Sequence, residues 1–143
     1  MHETDNAAPA AATPPGLVGY THWIYGLHAL SVFTGLVTSA SVAGRFVIGL
    51  PSIIAVIMNY ARRQEVRGSF LESHFAWQIR TFWYAFFALL VILLISAPLI
   101  LFLGLGVFTA MVGFGIVGIW TIYRVARGWL ALRNRQRMPL RLT

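Results

Sequence analysis

The chain contains no cysteine and no lysine, and only four acidic residues: Glu3, Asp5, Glu65 and Glu72. Without cysteine there are no disulfides, thiolate metal sites or cysteine nucleophiles. Charge of either sign is scarce. Charged residues make up 10% of the 143, against about 25% in an ordinary soluble domain. Between Ala85 and Tyr123 there is none. No carboxylate lies in the expected membrane core, which argues against proton- or sodium-coupled transport. A phosphate-cradling glycine loop, a zinc-protease signature and a nucleophile elbow are also missing. The chain is therefore expected to be non-enzymatic, with no metal and no other cofactor.

What remains is largely apolar. Hydrophobic residues make up 58% of the chain. An uncharged run of 18 or more such residues reads as membrane-spanning, and the run from Ala85 to Tyr123 is long enough for two spans. All eleven basic residues are arginine, and the net charge is +7. The aromatics lie in the apolar runs and not among the basic residues, so nucleic acid is not the expected partner. In a membrane protein such an excess reflects orientation bias and attraction to anionic headgroups.

The N-terminal stretch "MHETDNAAPAAATPPG" (residues 1–16) is expected to be a disordered tail. It has no basic n-region and does not read as a secretory signal. Four apolar segments follow, at about 17–40, 46–61, 70–103 and 107–135, with a basic tail at 137–143. Pro51 and Pro98 are expected to start or bend the second and third segments. Ser69 and Glu72 have the spacing of a capping box at the start of helix three. That helix exceeds a hydrocarbon core of roughly 30 Å, so its first turns extend into the cytoplasmic interface. "LGLG" (103–106) allows a tight, uncharged turn. The fold class is thus all-α: a polytopic membrane protein with four transmembrane helices arranged as two hairpins.

Arginine placement orients the chain. In a four-span arrangement Arg45 alone lies on one side, and every other arginine lies on the other. That puts both termini in the cytoplasm of a bacterial inner membrane. Arg62, Arg63, Arg67, Arg80, Arg124, Arg127 and Arg133 are the candidate residues for binding anionic lipid or an acidic partner. Arg80, flanked by Trp77, Trp83 and Tyr84, is expected to snorkel outward to the headgroups.

Polar residues within the spans point inward. At 100° per residue His74, Gln78 and Thr81 fall within about 60° of one another. On the first span His28, Ser31, Gly35 and Ser39 share a face. His28, His74, Gln78 and Thr81 are therefore expected to make polar contacts within the bundle, since lipid offers them no partner. His22 and His74 near the cytoplasmic end could ligate a b-type haem, a lesser alternative. Gly106, Ala110, Gly113, Gly115 and Gly118 are expected to pack the fourth span against the first or second.

"NYARRQEVRGSFLESHFAWQIRTFWYAFF" and "IYRVARGWLALRNRQRMP" resemble a family of small, uncharacterised proteobacterial inner-membrane proteins. The resemblance covers roughly residues 20 to 139. The chain is more distantly similar to a domain-of-unknown-function family grouped with the chloroplast inner-envelope translocon channel component. The resemblance implies four helices and a bacterial inner membrane, and supplies no activity or catalytic residue. The C-terminal stretch departs from the family habit in being richer in arginine and lacking an acid. The expected role is that of an accessory, assembly or structural subunit that packs with other membrane proteins or with itself. The alternatives are a small oligomeric channel or translocation component, and a haem- or quinone-associated redox subunit.

Overall fold

The computed structural model describes residues 12–37, 42–101 and 105–139. These form four α-helices, with no strand among the described residues: α1 (Leu17–Val37), α2 (Val42–Ala61), α3 (Leu71–Leu101) and α4 (Leu105–Arg133). Residues 1–11, 38–41, 102–104 and 140–143 lie outside the described residues, as do the expectations that fell on them.

Two of the helices are long and apolar enough to cross a membrane: α3 over Leu71–Ile100 and α4 over Leu105–Arg133. Their 31 and 29 residues correspond to about 46 and 44 Å of straight helix. The apolar part of α2 is shorter, Gly49–Ala61. α1 has the length, with 21 residues, but its tyrosines, histidines and hydroxyl residues dilute its apolarity. α2 begins four residues before the expected Phe46, and α2 and α3 continue on both sides of Pro51 and Pro98.

The core lies at one end of the molecule. Leu17, Ile24 and Tyr25 of α1 meet Ala55 of α2, Val66 of the basic turn, Leu71 and Phe75 of α3, and Val125 and Leu132 of α4. The rest of α3 and α4 forms a hairpin whose large side chains face outward: Leu94 is 65% exposed, Phe108 70% and Ile119 69%. That hairpin is held by close backbone approach. A Cβ at Gly106 would overlap the Ser96 carbonyl and the Ile100 amide, and one at Gly113 would lie 2.8 Å from Ile92 Cγ2. Of the α4 glycines expected to meet the first or second helix, Gly106 and Gly113 pack on α3 instead, and a Cβ at Gly115 would meet nothing within 4 Å. The preceding helix in the chain supplies the nearest surface. Gly128, lower on α4, lies against Tyr25 of α1.

The expected capping box forms only in part. Glu72 reaches back, but its carboxylate accepts from the Gly68 N–H at 2.9 Å, one residue beyond Ser69. Gly68 has a φ of 75°, which only glycine adopts without strain, and this turns its N–H toward the helix. The Ser69 hydroxyl donates to the Val66 carbonyl at 2.7 Å and so does not cap an N–H. At the same end of the bundle α4 closes with a Schellman turn. Gln136 N–H bonds the Ala131 carbonyl, Arg135 N–H bonds the Leu132 carbonyl, and Arg135 takes the left-handed position at φ 52°. The turn sends residues 136–139 back across the first turns of α3.

A buried polar junction as the candidate functional site

The polar stripe of α3 enters the core end from below. His74 is fully buried. Its Nε2 faces the Gln136 carbonyl at 2.8 Å, and its Nδ1 faces the Tyr25 hydroxyl at 3.0 Å. A carbonyl only accepts, so Nε2 carries the proton and Nδ1 accepts from Tyr25. His74 therefore ties α3 to α1 and to the segment after α4. Tyr25 in turn lies against Gly128, where a Cβ would be 2.7 Å from the ring Cε1.

Two turns further along, Thr81 Oγ1 donates to the Trp77 carbonyl and accepts from Arg124 Nε, both at 2.8 Å. Trp77 Nε1 donates to the Arg124 carbonyl at 3.1 Å. The Arg124 guanidinium stacks 3.6 Å from the Trp77 ring centroid and lies 5.0 Å from that of Trp120. This reciprocal clamp joins α3 to α4. Gln78 sits between His74 and Thr81, 1% exposed, and neither amide atom has a hydrogen-bond partner. His28 bonds Ser52 of α2 through Nδ1 at 3.1 Å, while its Nε2 is unpartnered.

The inward positions of His28, His74, Gln78 and Thr81 follow the helical spacing that pointed to them. Two arginines do not follow the expectation. Arg124 is 8% exposed and held by Trp77 and Thr81, so it does not belong to an outward basic surface. Arg80 is half-buried, and its Nη2 donates to the Pro139 carbonyl at 2.8 Å, a tie to the segment after α4 that its aromatic flanks did not signal. In both cases the aromatic face or carbonyl of a neighbouring element is nearer than solvent. Arg62, Arg63, Arg67, Arg127 and Arg133 are exposed. Of these, Arg62 pairs with Glu65 at 3.4 Å and Arg127 donates to Tyr123 at 3.2 Å.

His22 and His74 are both engaged. His22 Nδ1 accepts from Trp129 Nε1 at 2.9 Å, and both nitrogens of His74 have protein partners. Haem ligation by His74 would require breaking one of those bonds. Among the described residues no three His, Cys, Asp or Glu groups converge on a point that could hold a metal.

Sequence reasoning missed three features. The segment 136–139 is tied to α3 by His74, Arg80 and Ser73, whose Oγ accepts from the Met138 N–H at 3.0 Å. Nothing in a short basic tail signals such docking. Asn59 on α2 is fully buried with both amide atoms unpartnered. The burial of Arg124 had a signal, since Arg124, Gly128 and Leu132 repeat every four residues along one buried stripe. The chain matches no family model, no curated protein and no solved structure.

Proposed function

We propose that the protein is a non-enzymatic, four-span inner-membrane protein of bacteria with both termini in the cytoplasm. Its role is that of an accessory, assembly or structural subunit. It packs with other membrane proteins through its apolar hairpin and binds anionic lipid through its arginine-rich end. The family resembled by the "ESHFAWQIRTFW" segment fits the same reading.

The observation that carries it is the division of the molecule. The α3–α4 hairpin exposes large apolar side chains over most of its length, which water does not favour and hydrocarbon does. At the core end, Arg63, Arg67 and Arg133 are exposed, and no carboxylate pairs with them among the described residues. The polar groups beneath are largely taken up in joining helices. The two hydroxyl–imidazole pairs there, Tyr25 with His74 and Ser52 with His28, are ties between helices in the buried end of the bundle, which supports a structural role.

Native mass spectrometry after mild-detergent purification tests the lipid half of the proposal. The unaltered protein should retain phosphatidylglycerol-class lipid in preference to zwitterionic lipid. A variant with Arg63→Gln, Arg67→Gln and Arg133→Gln should lose that preference while keeping its helicity. Equal retention of both lipids by the unaltered protein would refute the lipid role. The proteins that copurify from native membranes identify the complex.

A further inference from the structure

We propose that Arg127 and Tyr123, backed by Arg124 and Arg80, form a second lipid site at the α3–α4 seam, which takes the phosphomonoester headgroup of a phosphatidate-class lipid. The site rests on the membrane reading above and shares no residue with Arg63, Arg67 and Arg133.

Its arginines come from both helices and meet at one indole. The Arg124 and Arg127 guanidiniums lie 3.6 and 5.7 Å from the centroid of the Trp77 ring. Arg80, about one turn beyond Trp77 on α3, brings a third charge. Both Arg80 and Arg127 repel the charge of Arg124. Among the described residues no carboxylate answers this cluster: Glu65 pairs with Arg62, and Glu72 is held on the Gly68 N–H. Arg124 is buried and its Nε–H goes to the Thr81 hydroxyl, so it supplies charge from beneath and not a surface contact. Arg127 is exposed and gives one N–H to the Tyr123 hydroxyl at 3.2 Å. A guanidinium has further N–H groups to give, and a tyrosine oxygen that accepts still has its own proton to donate.

Depth and charge select the ligand. Tyr123 and Tyr84, both exposed, flank the arginines, and aromatics of this kind mark the headgroup zone. A lipid headgroup is therefore the anion that meets the cluster. A phosphodiester brings a single negative charge to three cations. A phosphomonoester brings about −1.5 to −2 at pH 7 and three acceptor oxygens. Like charges gathered beside a low-dielectric interior gain most from the more highly charged ligand. Zwitterionic headgroups bring a cation that the arginines repel.

Native mass spectrometry, with lipid titrated into the detergent-purified protein, tests this. Phosphatidate should bind several-fold more tightly than phosphatidylglycerol. Arg127→Gln should lower phosphatidate affinity about tenfold, the loss of one charge-assisted hydrogen bond. It should keep the preference for phosphatidylglycerol over zwitterionic lipid. Should that variant fail to fold, Tyr123→Phe, which removes only the phenolic O–H, should weaken phosphatidate binding in the same direction. The Arg63→Gln, Arg67→Gln, Arg133→Gln variant should still bind phosphatidate; loss there but not in Arg127→Gln would move the site to the basic turn and overturn the proposal. Equal affinity of the unaltered protein for the two anionic lipids would also overturn it. So would displacement of phosphatidate by excess inorganic phosphate, which would assign the cluster to a soluble anion.

Discussion

A single imidazole links three parts of the chain. His74 receives the Tyr25 hydroxyl on Nδ1 and gives its Nε2 proton to the Gln136 carbonyl. Nitrogen NMR should therefore find His74 neutral, with the proton on Nε2; a proton on Nδ1 would reverse the direction of the Tyr25 bond. Tyr25 keeps its place because residue 128 has no side chain. Gly128→Ala pushes a methyl group into the tyrosine ring and should cost about 1–3 kcal/mol, the usual range for overpacking. A lowered Tm in detergent is the readout. Thr81→Val keeps the shape but removes the acceptor for Arg124 Nε. It should cost about 1–3 kcal/mol, the penalty of a buried donor left without a partner. Equal stability of Thr81→Val and the unaltered protein would show that Arg124 finds another acceptor.

At the scale of the elements, the two helix ends nearest the basic turn decide how the bundle closes. Glu72, not Ser69, supplies the contact that orders the entry to α3. Glu72→Ala should speed amide exchange at Gly68, whereas Ser69→Ala should leave that amide protected. The reverse result would restore the Ser69 cap that the sequence suggested. At the end of α4, Arg135 occupies a left-handed position that favours glycine. Arg135→Gly should stabilise the turn by about 1 kcal/mol. Beyond it, His74, Ser73 and Arg80 hold residues 136–139 on α3. Removing one hook should loosen this strap, so Arg80→Gln should raise the rate of tryptic cleavage after the exposed Arg137.

The whole molecule was legible where periodicity and composition act over many residues. Four helices follow from the long apolar segments, and the inward stripe of His74, Gln78 and Thr81 follows from spacing alone. Contacts between distant segments were not legible. Arg80 reads as an outward anchor because its neighbours on α3 are aromatic, but the carbonyl that it bonds belongs to Pro139. Arg124 reads as part of a basic surface because Arg127 and Arg133 follow it. Its burial depends on the Trp77 face that α3 presents. Ser69 has the spacing of a cap, yet the left-handed Gly68 moves the receiving N–H one residue back.

We propose that this chain crosses a bacterial inner membrane four times, with its arginine-rich end in the cytoplasm. Topology reporters fused after Arg67, after Thr143 and near Ala43 test it most directly. Cytoplasmic readings at the first two sites and a periplasmic reading at Ala43 are expected. Opposite sides for Arg67 and Thr143, or a cytoplasmic Ala43, would contradict it.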